Sequence, residues 1–420
     1  MMKPFTHYGV LLISVATISL AACDKADRDK LGAGKDLILT AVEQEKVGKD
    51  NRFAFELFRI ATAGLQADEN ALLSPLSVSM ALAMTNNGAA GETRTAIEKA
   101  LMFDGFTGED INAYYQKLAA DLPALDPKTT VDIANSIWYR QGFDVLPDFL
   151  DVNRTFYKAD VSALDFADPG APNVINDWVS NKTKKKIPTI IDGAIPADMI
   201  MYLINAVYFK GAWEQRFDKS ATQKGTFTRL GGAPLQTDFM HVKHTFNVAA
   251  TDDVEAIELP YGNKKFSMIV LKPRGDGTLA QVMEKFTDSD LWATLVSSFY
   301  ARETQLALPK FKFSYENQLN DELTGMGMGI AFTPSADFSG ISEASNLAIS
   351  EVKHKSFIEV NEEGTEAAAV TSVGVIMTSL PQIYTFNVDR PFLFAIREMN
   401  TGLILFIGQV NDPSVEATRG

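Results

Sequence analysis

The sequence predicts one large α+β domain, on three observations. The first half reads as mostly helical, and strand-like segments rich in β-branched and aromatic residues then take over. No internal repeat, low-complexity tract or Pro/Gly/Ser linker divides residues 48–415. Several strand-like segments are apolar on both faces, so the sheet they build is expected to be buried rather than half solvated.

The first residues read as lying outside that fold. Lys3 precedes an apolar run from Tyr8 to Leu20 that is too short for a confident membrane span and has the shape of a secretory signal. It ends in "LAAC", Leu20 to Cys23, which resembles the lipobox of bacterial lipoproteins. The resemblance implies removal of residues 1–22 and lipidation of Cys23. Cys23 is the only cysteine in the chain, so no internal disulfide is available to it. A lipidated cysteine carries more than one acyl chain, enough for stable attachment to a membrane. Asp24 resembles an inner-membrane retention signal of some bacteria. Residues 23–47 are charged and poor in aromatics, and read as the lipidated cysteine with a tether that becomes helical toward the domain. The expected location is extracytoplasmic, as a cell-envelope lipoprotein facing the periplasm or the cell surface.

The domain is expected to occupy 48–415, with 416–420 as a tail. "NRFAFELFRIATAG" has apolar residues at helical spacing, and "SPLSVSMALAMTNNG" opens with Ser-Pro and closes at Gly88. "GETRTAIEKALMF" and "EDINAYYQKLAADLP" are two further amphipathic helices. Strands are expected at "TTVDIANSIWYR", "MYLINAVYFKG", "DVEAIELPY", "KFSMIVLKP", "ETQLALPKFKF", "AISEVKHKSFIEV" and "TGLILFIGQV", with a helix over "YENQLNDEL".

Charge and chemistry exclude several function classes. The net charge of −14 disfavours a nucleic-acid partner for the body of the protein. The one basic cluster, "NKTKKK" at Asn181 to Lys186, follows an amphipathic stretch and reads as a solvated helix end where cations suit the macrodipole. The four histidines are His7, His241, His244 and His354. His241 and His244 share a face only if "HVKH" is helical, and its neighbours look like strand and turn, so no metal site is expected. "TGMGMGI" lacks the strand–loop–helix context of a phosphate loop and reads as a turn. There is no nucleophile elbow, zinc-protease motif or P-loop. No cofactor is implied, and the chain does not read as an enzyme.

One stretch stands apart. "NEEGTEAAAVTSVGVIMTSLPQ", residues 361–382, lies between strand-like segments and carries no charge from Ala367 to Gln382. Connections of that length in compact domains are usually functional or disordered. Composition alone allows an Ala-rich helix or linker, whereas the β-branched continuation "VTSVGVI" favours strand.

From about Phe53 to Pro413 the chain resembles the serpin family. The resemblance rests on "LLSPLSVSMALAMTNNGAAGETRTAIEKAL", "NAVYFKGAW", "NEEGTEAAAVT" and "DRPFLFAIREMNTGLILFIGQVNDP", four motifs in the family's order. It implies a fold of three β-sheets with about nine helices and an exposed reactive-centre loop. It also implies single-use inhibition of serine or cysteine proteases by a monomer. A target protease attacks the loop and forms an acyl-enzyme. The cleaved loop then enters the central sheet as a new strand, and the distorted protease cannot complete hydrolysis.

Strand insertion makes demands that these residues meet. Every inserted residue needs a free N–H, and no proline occurs from Asn361 to Leu380. Thr365, Ala367, Ala369, Thr371 and Val373 share one face, and all are small or β-branched; Glu366 lies on the other. About a dozen ladder hydrogen bonds at ~1 kcal/mol each give a driving force on the order of 10 kcal/mol. The resemblance assigns the hinge to Glu362, Glu363, Gly364, Thr365, Glu366, Ala367, Ala368, Ala369 and Val370, where Val370 replaces the family's usual alanine on the outward face. The scissile bond of the family lies about seventeen residues from the hinge glutamate. That places it at Thr378–Ser379, with Met377–Thr378 as runner-up. "VIMT" suits a modest apolar pocket, as in elastase-like or subtilisin-like proteases. Ser74, Ser77, Asn205 and His354 resemble the polar cluster beneath the central sheet, and Trp213 the tryptophan where insertion begins. The alternative is a non-inhibitory serpin-fold binding or carrier lipoprotein, cleaved as a substrate.

Overall fold

The computed structural model describes Gly32 and residues 34–288, 291–344, 346–365 and 383–419. The chain divides into Met1–Ala33, of which Gly32 alone is described, and a body, Gly34–Gly420.

Most of the described α-helices lie in the first half of the body. In α1 (Ala41–Ala61), Thr40 and Glu43 cap one another reciprocally. The helix α2 (Pro75–Asn86) starts at Ser74, whose hydroxyl accepts from the Ser77 amide, with Pro75 in the first turn. It is apolar or small all round and buried all round, packed against the central strands. Helices α3 (Gly91–Ala100), α4 (Gly108–Asp121), α5 (Pro147–Tyr157) and α6 (Ala171–Lys182) cover the flanks. Later come α7 (Leu279–Asp288), α8 (Leu291–Ser297) and the one-turn α9 (Asn320–Leu323). The α-helices among the described residues number nine.

The strands form two hydrogen-bonded sheets. The central one joins β2 (Thr129–Arg140), β3 (Asp160–Leu164), β4 (Met201–Ala212), β10 (Phe311–Gln318), β11 (Lys353–Asn361), β12 (Gly364–Thr365) and β16 (Ala417–Arg419). They run in the order β16-β10-β11-β12-β4-β2-β3. The other is built on β6 (Pro234–Ala250), with β5 (Gln223–Thr228) attached to it. Its order is β1-β15-β14-β8-β7-β6-β9-β13, from β1 (Ala71–Leu73), β7 (Val254–Tyr261), β8 (Phe266–Pro273), β9 (Tyr300–Pro309), β13 (Tyr384–Asn387), β14 (Phe392–Glu398) and β15 (Ile404–Val410). Among the described residues two of the three expected sheets run into one, because the 17-residue β6 pairs with β5 and β9 over most of its length and with β7 at its end. His241 and His244 lie on this strand, cross-strand from Ala307 and Thr304. Among the described residues no group of three or more His, Cys, Asp or Glu side chains is placed to hold a metal ion.

Four boundaries differ from the expectation. The tether read as 23–47 is taken into the body from Gly34: the Lys35 amide donates to the Leu125 carbonyl (2.7 Å), Leu37 is buried, and α1 begins at Ala41. Lys46, inside that stretch, is buried against Asp50, whose carboxylate also accepts from Tyr114 (2.7 Å). An ion pair with a shared hydroxyl partner makes such burial tolerable. The tail read as 416–420 contains β16, which runs parallel to β10 and covers what would otherwise be a bare sheet edge. The helix expected over "YENQLNDEL" shrinks to α9, because Phe311, Phe313, Tyr315 and Asn317 alternate inward and Tyr315–Gln318 complete β10. In "AISEVKHKSFIEV" only the part from Lys353 is strand.

Candidate functional site

Among the described residues the central sheet is incomplete in one place. β4 pairs with β2 along its length, from Thr129↔Gly211 to Tyr139↔Met201, and β11 pairs with β10 from Phe311↔Val360 to Gln318↔Lys353. Among the described residues, only β12 stands between β4 and β11. Thr365 lies opposite Gly211 on one side and Val360 on the other, antiparallel to both. Below it, among the described residues, no strand pairs with the facing edges of β4 or β11. A cavity of ≈ 550 Å³ opens there, lined by Tyr202–Val207 of β4, Lys353–Ser356 of β11, and Ser74 and Ser77 beneath.

The top of this gap is held by the acidic hinge. Gly364 has φ +147°, and a Cβ at that position would lie 2.1 Å from the Gly211 carbonyl oxygen and 2.7 Å from Ala212 Cα, so only glycine fits. Trp213 stacks on Tyr261 (ring centroids 4.5 Å, interplanar angle 12°). Its indole N–H donates to the Asn361 carbonyl (2.9 Å) and its amide to that of Glu363 (3.0 Å). The Tyr261 and Thr365 hydroxyls share a hydrogen bond of 2.7 Å. Glu362 is buried and accepts from Thr222 (2.8 Å) and Lys310 (3.0 Å), while Lys219 Nζ reaches Glu363 at 2.5 Å. Burial pushes the Glu362 carboxyl upward, but its own amide, Thr222 and Lys310 outweigh that and hold it below the usual range. The Glu363 carboxylate raises the Lys219 ammonium.

Lower in the gap the structure brings together the four expected polar residues. The Ser77 hydroxyl donates to the Asn205 carbonyl (3.2 Å), and the Ser74 hydroxyl to that of Leu405 (2.9 Å). The Ser74 amide donates to His354 Nε2 (3.2 Å). Burial lowers the His354 imidazole to about 4, with the Leu72 carbonyl opposing that shift, so the ring is neutral at pH 7. Asn205 Nδ2 donates to Asn135 (2.7 Å), but Asn205 Oδ1 is buried with no partner among the described residues.

Of the expected hinge, Glu362, Glu363, Gly364 and Thr365 are among the described residues, at the top of the gap. Glu366, Ala367, Ala368, Ala369 and Val370 fall outside the described residues, as do Met377, Thr378 and Ser379 of the two scissile-bond readings and Cys23. Sequence reading missed the partners of the hinge: Lys219, Thr222, Tyr261, Lys310 and Gly211. Lys219 and Thr222 share one turn, the other three come from distant parts of the chain, and none carries a local motif.

A family model described as Serpin (serine protease inhibitor) matches residues 49–413. The leukocyte elastase inhibitor of Xenopus tropicalis is 36% identical over 371 residues, 86% of this chain and 97% of that protein. Human serpin B4 is 35% identical over 390 residues, covering 87% and 98%. Among solved structures, the native state of the thermophilic serpin tengpin superposes with a TM-score of 0.81 at 34% identity, over 92% of this chain and 98% of that one. Human thyroxine-binding globulin does so with 0.80 at 28%, over 89% and 100%. An α+β body with a strand-width gap in its central sheet, a glycine hinge at the top of that gap, and these matches over most of its length place the chain in the serpin family, a family of protease inhibitors rather than of enzymes.

Proposed function

We propose that this protein inhibits serine proteases by covalent trapping, its cleaved loop entering the gap between β4 and β11 as a new strand. One observation carries the reading: Gly364–Thr365 already pairs with both edges of the gap, in one register. Continuing that register residue by residue sets Ala367 opposite Phe209 and Ile358, Ala369 opposite Val207 and Ser356, and Thr371 opposite Asn205 and His354. The side chains of Ile358, Ser356 and His354 are buried on that face, so small residues are required there. Thr371 would bring a hydroxyl to the unpartnered Asn205 Oδ1, so insertion would relieve a buried polar atom. Glu366 and Val370 fall on the other face, where a charge or an extra methyl group costs little.

The bait bond in this reading is Thr378–Ser379, or Met377–Thr378 by a one-residue shift. Its uncharged apolar flank suits elastase-like or subtilisin-like proteases, in keeping with a relative named leukocyte elastase inhibitor. The protein acts as a bacterial cell-envelope lipoprotein held by Cys23. With the chain docked on the body from Gly34, ten residues, 24–33, join the cysteine to it. Ten residues reach at most about 36 Å, so the inhibitor works close to the membrane.

The test mixes the chain from Asp24 onward with pancreatic elastase and with subtilisin, followed on denaturing gels and by mass spectrometry of the released C-terminal peptide. An SDS-stable adduct plus a peptide beginning at Ser379 or Thr378 is the expected result. Cleavage without adduct would overturn trapping in favour of a non-inhibitory carrier. Turnover of a generic ester or peptide substrate would point to a hydrolase.

A further inference from the structure

The connection from α6 to β4, residues 183–200, crosses the outer face of the central sheet at the gap: Ile187, Ile190 and Ile191 line the cavity together with β4 and β11. Its two sides are attached by different chemistry. On the β2–β4 side the attachment is apolar and hydrogen-bonded. Ile190, Ile191, Ile195 and Met199 share a buried cluster with Trp138 of β2 and with Tyr202 and Ile204 of β4. The Asn176 side chain of α6 accepts from the amides of Ile190 (2.8 Å) and Ile191 (2.9 Å) and donates to the Ile191 carbonyl (2.9 Å). The Arg140 guanidinium of β2 donates to the Met199 carbonyl (2.9 Å), and Lys184 pairs with Asp132 of β2 (3.1 Å).

On the far side of the gap the attachment is ionic. Lys186 Nζ lies 3.8 Å from Glu359 and 4.8 Å from the ring centroid of Phe357, both on β11. Lys355 of β11 lies 3.0 Å from Asp192 of the connection while also meeting Glu316 of β10 at 3.2 Å. No residue of β10 or β11 belongs to the apolar cluster that anchors the other side.

We propose that Lys186–Glu359 and Asp192–Lys355 form an ionic clasp that holds this connection down across the insertion gap, and that opening the clasp limits how fast a strand enters. The inference rests on the insertion reading above. A strand entering between β4 and β11 projects alternate side chains toward the connection, which must lift or slide to let them pass. The apolar side acts as the hinge of that movement, because its burial is lost only if the whole connection detaches. Lys186, Glu359 and Asp192 are partly exposed, and Lys355, itself mostly buried, keeps Glu316 as a partner when Asp192 leaves, so the clasp breaks cheaply. This division lets the connection swing open from one edge without unfolding. It also makes the rate of entry sensitive to salt, which screens exposed pairs and spares buried apolar contacts.

The test adds a synthetic peptide of residues 365–378 to the intact protein and follows its uptake by native-gel mobility shift and mass spectrometry. The wild type is compared with Lys186→Gln, Asp192→Asn, the double variant and Lys184→Gln, all first checked for unchanged circular dichroism. Each clasp variant is expected to take up peptide about twofold to fivefold faster. Lys184→Gln, which breaks a pair on the near side only, should match the wild type. Raising the salt concentration should speed uptake by the wild type and leave the double variant unchanged. Equal rates in all variants would overturn the clasp while leaving insertion standing. So would acceleration in Lys184→Gln as large as in the clasp variants, since that would be general loosening. A wild type that takes up no peptide would remove the insertion reading, and the clasp with it.

Discussion

Acidification should weaken the native state through one residue, His354. Its Nε2 accepts a hydrogen bond from the Ser74 amide, and the ring is buried between the N-terminus of α2 and β1. A proton on Nε2 would set two N–H groups face to face, and it would place a charge where no water solvates it. The imidazole therefore titrates at about 4 in the native state, against 6.5 for an ordinary histidine. Between these values the unfolded chain binds a proton that the native chain does not, so native stability is complete above pH 6.5 and falls as the pH drops toward 4. At about 1.4 kcal/mol per pH unit the full loss is ~3 kcal/mol. The assay is the urea midpoint and slope of the first unfolding transition at pH 7.5, 6.0, 5.0 and 4.5 for the wild type and for His354→Gln. The wild type should lose stability steadily through this window, and the variant should be less stable at pH 7.5 yet much flatter. Glu362 adds its own loss only lower down, because its carboxyl sits below the usual range and gives up its ion pair only when protonated. Parallel slopes for the two proteins between pH 6.5 and 5 would refute this account.

Three further outcomes follow from the same geometry. Gly364→Ala forces a Cβ into the Gly211 carbonyl and should abolish adduct formation while leaving the loop cleavable, read as a stoichiometry of inhibition raised at least tenfold. Ala369→Glu places a carboxylate opposite Val207 and buried Ser356 and should turn inhibitor into substrate, whereas Val370→Ala on the outward face should change the trapping rate by less than about twofold; equal effects would contradict the register. Cys23→Ala should shift the protein from the detergent phase to the aqueous phase on Triton X-114 partitioning; retention in the detergent phase would remove the lipid anchor.

What could be read in the sequence follows from how local each constraint is. The helix α2 was legible because Ser74, Pro75 and the apolar run after them are neighbours in the chain, and capping is a local interaction. Gly364 and Thr365, the described end of the expected hinge, were legible for the same kind of reason. A strand that must pair on both edges while one face is buried writes a period of two in small residues and excludes proline, both visible within a dozen positions. The Tyr315–Gln318 stretch was misread because Glu, Asn and Gln tolerate helix, and the alternation that decides the matter, Phe311, Phe313, Tyr315 and Asn317, begins upstream of it. The three residues of β16 gave no signal, since so short a strand is defined by its partner β10 rather than by its own composition.

The clamp on the hinge was illegible for a stronger reason. Lys310 and Lys219 stand 52 and 144 residues before their glutamates, and a single surface lysine has no pattern that marks its partner. Physically the two kinds of information answer different questions. The small-residue alternation of the loop states what the proposed inserted form would require. The lysines on Glu362 and Glu363, the imidazole beneath Ser74 and the ion pairs from the α6–β4 connection to β11 hold the form that precedes it. In the proposed mechanism, the protein waits in a less stable state, its destination written locally and its restraints across the fold. Substitutions at the restraints should therefore change the rate of conversion, and substitutions in the loop face should change whether conversion traps anything at all.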